Sequence, residues 1–416
     1  MIAKLFEFRR LQRALRLSPA ELRALQERRL RATVRHAYER VPLYRNLWDA
    51  AGVGPEDVRS LEDLGRLPVV TRRQVQEAGR EAAARGVDVS RCVKLTTSGH
   101  SGVPLAVYRT KAELQTLLLV EFRTLLRIGL RARDRLVVLG PEDSRGPHWH
   151  ERLGLYRTHV IRNGMPLEEQ IQMLKRLQPT VLWAYPAHLH ALLHAVDYRL
   201  SRIVRPRLLI FSSAVMPAHL KDRLRDDLGC PIFNSYAARE TGRIAAECPQ
   251  QQGLHVNADE VLVECLADPE LDASTVVVTT LTARTMPFIR YRLGDLASPV
   301  EGRCSCGSAF PRITVPAGRR DDAVRLPSGR LQSPHCFQKA IRQFPEIDQF
   351  RTVQDGPAHL TVRVCVKRPW PEERRRALAA AIRQSLEEPM AVDVQPGDFM
   401  KRESAKFRDF EYAVKD

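Results

Sequence analysis

Three groups of residues carry side chains suited to chemistry. The first is Leu95-Thr-Thr-Ser-Gly-His-Ser-Gly-Val-Pro104, a small-residue run after a short β-like segment. Such a loop exposes consecutive backbone N–H groups and lets a phosphate approach them closely. No Gly-Lys-Ser/Thr follows, so it is not a nucleotide-hydrolase P-loop; it reads as another kind of anion cradle or as an ordinary turn. The second group is Cys248, His255, Cys304 and Cys306, spaced Cys-x6-His and then Cys-x-Cys-Gly. Three thiolates and an imidazole suit a closed tetrahedral structural zinc site, with Gly307 supplying a tight turn after the pair. Buried free cysteines are also common, and that reading fits Cys92, Cys230, Cys265, Cys336 and Cys365. The third is His148-Trp-His150, whose loop setting and lack of further ligands favour a pocket wall over a metal site.

Each group needs a frame. Ser18, Pro19 and Glu21 form a capping box with Pro at the first helical position, opening a helix that stops at Val41-Pro42. Thr71 and Gln74 repeat the capping-box spacing and predict a helix over 72–85. From residue 93 onward, β-like runs at 93–96, 135–139, 181–184, 208–211 and 231–233 alternate with helical periods at 111–128, 167–177, 187–198 and 217–228. That alternation predicts an α/β architecture with substantial parallel sheet. After residue 254 the texture becomes β-rich, at 261–266 and 275–280. From about 319, a strand at 360–366 and a helix at 372–386 read as a separate α+β unit. Residues 1–17 form a basic amphipathic pattern, with Ile2, Leu5, Phe6, Leu11, Leu15 and Leu17 at helical spacing. They lack the features of a secretory signal. The helix reads first as packed on its own domain and second as lying on a membrane surface.

Composition narrows the classes. The 416 residues carry 66 Lys plus Arg against 49 Asp plus Glu, a net charge of +17. With 44% hydrophobic and 28% charged residues, the chain is globular rather than disordered. No apolar run approaches the roughly 20 residues of a membrane-spanning helix. Eight cysteines are too sparse for a disulfide scaffold. A soluble, cytoplasmic protein is expected. Arginines are spread over nearly every segment rather than gathered in a stripe, so nucleic acid is a secondary candidate. In that reading the chain is a zinc-containing nucleic-acid-binding protein. The arginine fork also matches phosphates and carboxylates of small anions.

Four ordered motifs bring a family into view. The loop around Ser98 resembles the phosphate-binding signature of adenylate-forming enzymes, in particular the phenylacetate–coenzyme A ligase and capsular-biosynthesis family. Asn234-Ser-Tyr-Ala-Ala-Arg-Glu-Thr-Gly242 resembles its Tyr-Gly-x-Thr-Glu motif. Tyr291-Arg-Leu-Gly-Asp-Leu296 resembles its Tyr-Arg-Thr-Gly-Asp-Leu motif, and Gly318-Arg-Arg-Asp-Asp322 its hinge. His36-Ala-Tyr-Glu-Arg-Val-Pro-Leu-Tyr-Arg45 is similar to the family's opening helix, so the likeness spans nearly the whole chain.

The resemblance implies a large N-terminal α/β domain with mixed sheets, residues 1–317, carrying a zinc-binding insertion at about 248–306. It also implies a small C-terminal α+β domain, residues 318–416, that rotates about Asp321. The implied reaction is ATP-dependent activation of an aryl or other small carboxylic acid to an acyl-adenylate, then thioester formation with coenzyme A. Glu240 would hold Mg²⁺ and Thr241 would sit near the α-phosphate. Ser98, Gly99, His100, Ser101 and Gly102 would cradle phosphate. Ser213, Ala214, Ser235 and Tyr236 would line the adenine and acyl pocket. Asp295 would bind the ribose hydroxyls and Arg319 phosphate or ribose. Lys401-Arg-Glu-Ser-Ala-Lys-Phe-Arg408 resembles the C-terminal lysine motif, so Lys406, with Lys401 as the second candidate, would bridge carboxylate and α-phosphate. Some relatives carry zinc at positions matching Cys248, His255, Cys304 and Cys306. His100, Leu105, Ala237 and Ala238 depart from the family's usual residues and suggest a distinct acyl substrate. An amine or a carrier-protein thiol is the alternative acceptor, as in capsule or natural-product assembly.

Overall fold

Apolar runs in the middle of the chain become buried parallel strands. The computed structural model describes residues 2–97, 104–140, 149–212, 218–315, 318–333, 335–341, 343–344, 346–366, 370–397 and 410–412. The chain divides into two compact units. One comprises Met1–Leu130, Ser235–Leu266 and Thr275–Val315; the other comprises Arg131–Asn234, Ala267–Ser274 and Pro316–Asp416. The architecture is mixed α/β with several mixed sheets, as expected.

In the second unit, Arg157–Arg162, Arg135–Gly140, Val181–Ala184, Leu208–Phe211 and the start of Ile232–Ala238 lie side by side, all parallel. Val181–Ala184 and Leu208–Phe211 are buried throughout, as strands covered on both faces must be. Helices Leu167–Leu177, Pro186–Ala195 and Ala218–Leu228 follow successive strands. Leu174, Leu189, Leu192, Leu193 and Leu224 join Leu139, Leu182, Leu209 and Phe211 in one core. Asp134 ties strand starts together, accepting from Thr180 Oγ1 (2.8 Å), Arg207 Nη2 (2.6 Å) and the Arg131 N–H (2.6 Å). Further along, Ala391–Pro396, His359–Val366, Ile347–Gly356 and Phe410–Tyr412 form a four-stranded sheet. Helices His335–Ile341 and Glu372–Ser385 share a core with it through Phe337, Ile341, Leu360, Val362, Leu378 and Ile382.

The first unit is built on long helices and antiparallel strands. Ser18 caps Pro19–Arg40 with the reciprocal Glu21 contacts read from the sequence. Thr71 and Gln74 do the same for Arg72–Ala78. That helix ends seven residues before the expected 85, because Gly79 adopts φ +52° and a 3₁₀ turn follows. The hairpin Val93–Thr97 with Leu105–Arg109 leads into Lys111–Ile128, whose Thr110–Glu113 capping box is complete. Gly242–Glu247, Leu254–Val256, Arg312–Thr314 and Ser298–Val300 pair antiparallel in that order. Tyr291–Leu296 pairs with Leu271–Thr280. Among the described residues, no helix is long and apolar enough to cross a membrane.

Candidate functional site

The turn between Ile232–Ala238 and Gly242–Glu247 presents Glu240. Gly242 makes the turn possible: its φ is +78°, and a Cβ there would meet Leu117 Cδ2 at 2.7 Å. Glu240 is buried. Arg72 Nη1 lies 3.6 Å from its Oε1, and Tyr291 Oη donates to the same oxygen at 3.4 Å. Burial, followed by the Glu240 charge, pushes the Tyr291 phenol well above its usual range, so it remains a donor at neutral pH. Arg72 Nη2 also donates to Thr97 Oγ1 (2.7 Å), and Thr97 Oγ1 accepts the Leu105 N–H (3.2 Å). One guanidinium therefore joins the root of the glycine/serine loop to the carboxylate at the hairpin turn.

Backbone pairing fixes that meeting. Val70 accepts from the Arg292 N–H and donates to the Arg290 carbonyl, setting the first turn of Arg72–Ala78 beside Tyr291. Arg290 takes φ +47°, a conformation uncommon for any residue but glycine, and is held there by Glu264 and the carbonyls of Gly65 and Leu67. Fully buried Arg109 donates to the Met286 carbonyl (2.6 Å) and to that of Glu240 itself. Glu113 accepts from Thr285 Oγ1 (2.6 Å) and from the Arg284 and Thr285 N–H groups (2.7 and 2.9 Å). Burial would raise its pKa, but these bonds hold the carboxyl below the ordinary range.

Tyr236 and Asp295 meet directly. The phenol donates to Asp295 Oδ2 at 2.6 Å, across a strand-to-strand approach that Gly294 (φ +82°) bends. Ser235 is buried and opposite Ala246. Thr241 is buried and lines a cavity of about 340 Å³ with Arg109, Glu113 and Glu260. Reading Tyr236 to Glu240 against Tyr-Gly-x-Thr-Glu, the threonine position falls on exposed Arg239 and Thr241 follows the carboxylate. In the second unit, Arg319 precedes the 3₁₀ turn Arg320–Asp322 that contains Asp321. Arg320 anchors this turn on Asp268 (2.5 Å) and Glu270 (2.5 Å). Ser98, Gly99, His100, Ser101, Gly102, Ser213, Ala214 and Lys406 lie outside the described residues.

Cys248, His255, Cys304 and Cys306 come together although 48 residues separate His255 from Cys304 in sequence. Their ligand atoms all lie within 4.8 Å of one another. Cys248 Sγ and Cys304 Sγ are 3.6 Å apart, and Cys306 Sγ is 3.4 Å from His255 Nε2. A tetrahedral ion with Zn–S near 2.3 Å would place sulfurs about 3.8 Å apart. His255 Nδ1 is 3.1 Å from the Phe310 carbonyl, which leaves Nε2 for a metal. Burial, with Arg127 and Arg312 nearby, lowers the imidazole pKa to about 4, so the ring is neutral. Burial also opposes ionisation of Cys306, yet the Ser308 N–H and side-chain bonds from Cys304, Cys248 and Arg127 hold that thiol below its ordinary value. The residues fit a tetrahedral soft-metal site.

A family model described as AMP-binding enzyme matches residues 82–263. A phenylacetate–coenzyme A ligase of Thermus thermophilus is 33% identical over 356 residues, covering 79% of this chain and 76% of the relative. One from Escherichia coli is 29% identical over 347 residues, covering 79% and 77%. The fold is similar to that of 2-hydroxyisobutyryl-CoA ligase, solved in the postadenylation state with 2-HIB-AMP. That match has TM-score 0.77 and 21% identity, covering 94% of this chain and 89% of the other.

Proposed function

Because the chain belongs to the phenylacetate–coenzyme A ligase family of AMP-binding enzymes, we propose that it activates a carboxylic acid with ATP and passes the acyl group to coenzyme A. A carboxylate oxygen attacks the α-phosphorus and pyrophosphate leaves. The thiol then attacks the acyl carbonyl and AMP leaves. The observation that carries the reading for this chain is the Thr97–Arg72–Glu240–Tyr291 chain of contacts, which ties the loop root to a buried carboxylate. Negative charge that develops on phosphoryl transfer needs fixed cations and donors. Glu240 supplies a hard oxygen for Mg²⁺, which would neutralise phosphate charge. Arg72 keeps the carboxylate oriented from one side and Tyr291 from the other.

Asp295 accepts the ribose hydroxyls in this reading, exchanging the Tyr236 phenol or sharing an oxygen with it, and Tyr236 lies against adenine. Thr241 sits near the α-phosphate, and Ser235 borders the nucleotide beside Tyr236. Ser98 to Gly102 cradle phosphate, Ser213 and Ala214 border adenine and acid, and Arg319 reaches phosphate or ribose. Residues 318–416 act as the small mobile domain, with Asp321 at the hinge, and residues 1–317 as the domain that binds ATP and acid. Cys248, His255, Cys304 and Cys306 hold structural zinc, and three thiolate ligands suit a reducing compartment such as the cytoplasm. Aryl and other small acids are the proposed substrates. An amine or carrier-protein thiol is the alternative acceptor.

ATP–pyrophosphate exchange across a panel of carboxylic acids tests the first step. At least one aryl or small acid is expected to support it; if none does with zinc-loaded protein, the ligase reading falls. Lys406→Ala is expected to abolish exchange yet spare thioester formation from supplied acyl-adenylate, because the ammonium is needed only while carboxylate and α-phosphate react. Equal loss of both half-reactions would reject that role. Stripping zinc with a chelator, or Cys304→Ser, should lower the thermal midpoint by about 5–10 °C. Freshly purified protein without stoichiometric zinc would remove the metal from the account.

A further inference from the structure

The helix Ile2–Ala14 is anchored on one side and bare on the other. Leu11 and Ala14 are buried, Phe8 packs on Phe122 with centroids 5.5 Å apart, and Arg123 donates to the Leu11 carbonyl (2.9 Å). Glu7 bonds Arg10, which reaches Glu260 at 2.9 Å. At 100° per residue, the opposite arc carries Leu5, Phe6, Arg9 and Arg13, and Arg16 continues it in the turn that follows. Leu5 and Phe6 are 51% and 65% exposed, and the three arginines are exposed. This arc holds no acidic residue. Leu118, also exposed, lies one turn before Phe122 on Lys111–Ile128. Three of the four large apolar side chains exposed among the described residues therefore lie on two helices packed together.

We propose that this face docks on a bilayer surface carrying anionic lipid. Leu5 and Phe6 enter the boundary between headgroups and acyl chains, while Arg9, Arg13 and Arg16 meet lipid phosphates. The helix needs no refolding to do this, because its inner side is already pinned. A second copy of the chain fits the face poorly. A two-fold interface would set each arginine ridge near its own copy, on proteins of net charge +17. A nucleic-acid duplex would meet the arginines but leave the Leu5–Phe6 tip without an apolar partner. The inner side of the helix borders the cavity that Thr241 lines, through Glu7 and Arg10, but Leu5, Phe6, Arg9, Arg13 and Arg16 have no part in the proposed chemistry, so the inference does not depend on the ligase reading.

Co-sedimentation of the full-length protein with vesicles tests it. Partition onto phosphatidylcholine–phosphatidylglycerol vesicles should exceed that onto phosphatidylcholine alone by about tenfold or more, and fall as salt rises. Leu5→Ser with Phe6→Ser, and separately Arg9→Gln with Arg13→Gln, should each cut anionic-vesicle binding about tenfold at an unchanged thermal midpoint. Tryptophan emission from Phe6→Trp should shift to the blue on anionic vesicles alone. Equal partition onto both vesicle types, or binding indifferent to both double variants, overturns the proposal. Duplex DNA binding without vesicle binding does so too, as does a dimer that the Leu5/Phe6 variant dissociates without any vesicle binding.

Discussion

Glu240→Gln is expected to lower carboxylate-dependent ATP–pyrophosphate exchange by about 10²-fold or more, with little loss of stability. The substitution keeps the shape of the side chain and an acceptor for Tyr291, but removes the negative charge that a hard cation needs. Arg72, about a quarter exposed, retains Thr97 as a partner, so no fully buried cation is stranded. The Glu240 carbonyl still accepts from Arg109, so the hairpin turn keeps its place. A purely structural role would therefore be largely preserved in this variant. Titrating Mg²⁺ in the exchange assay separates the possibilities: the variant should need much more Mg²⁺ for half-maximal rate, or fail to reach the parent rate at any concentration. A rate within threefold of the parent at ordinary Mg²⁺ would remove Glu240 from the phosphate chemistry. Glu240→Asp should fall between, since the shorter carboxylate keeps the charge but retreats from Arg72 and Tyr291.

How much of this could be read from sequence differs by feature. The capping boxes at Ser18 and Thr71 were legible because they are local: donor, acceptor and spacing all lie within four residues. The parallel strands at 135–140, 181–184 and 208–211 and the start of the one at 232–238 were legible as apolar runs, because they are buried; Arg157–Arg162, polar and at the sheet edge, was not. The half of the 232–238 strand that carries Tyr236 was not legible either. Residues 235–238 read Ser-Tyr-Ala-Ala, which has little β character, and their strand conformation comes from pairing with 242–246. The grouping of Cys248, His255, Cys304 and Cys306 was legible by residue type, though 48 residues of intervening chain hid how it closes; the fold closes it through Leu254–Val256 pairing with Arg312–Thr314. Arg72 and Arg109 could not have been singled out. Among so many dispersed arginines, only burial and a named partner distinguish a structural cation from a solvated one. Composition hid them because most arginines look alike until packing separates them.

That distinction is sharpest at Arg123. Its guanidinium and the Asp259 carboxylate are both fully buried, joined by two bonds of 2.7 and 2.8 Å. Arg123 also donates to Asn257 Oδ1 (2.9 Å) and the Leu11 carbonyl (2.9 Å). Asp259→Ala is expected to destabilise the protein by about 3–5 kcal/mol, because it leaves a buried cation without its counter-ion. Replacing both members, as Arg123→Met with Asp259→Leu, should cost less than that single change, since no charge is then stranded. It should still fall short of the parent, because Asn257 Oδ1 and the Leu11 carbonyl lose a donor. Urea unfolding at neutral pH measures all three. A change under about 1 kcal/mol in Asp259→Ala would mean that water reaches the guanidinium and that the pair is not sealed. The effect should extend to the Cys248, His255, Cys304 and Cys306 cluster. Arg123 and Arg127 both lie over the Phe310 ring, at 5.6 and 5.8 Å, and the Phe310 carbonyl fixes the His255 ring. Loss of Asp259 frees Arg123 to move, so Phe310 and then His255 lose a fixed neighbour. Asp259→Ala protein should therefore retain zinc less well under chelator challenge than an equally destabilised variant in the second unit, such as Leu182→Ala.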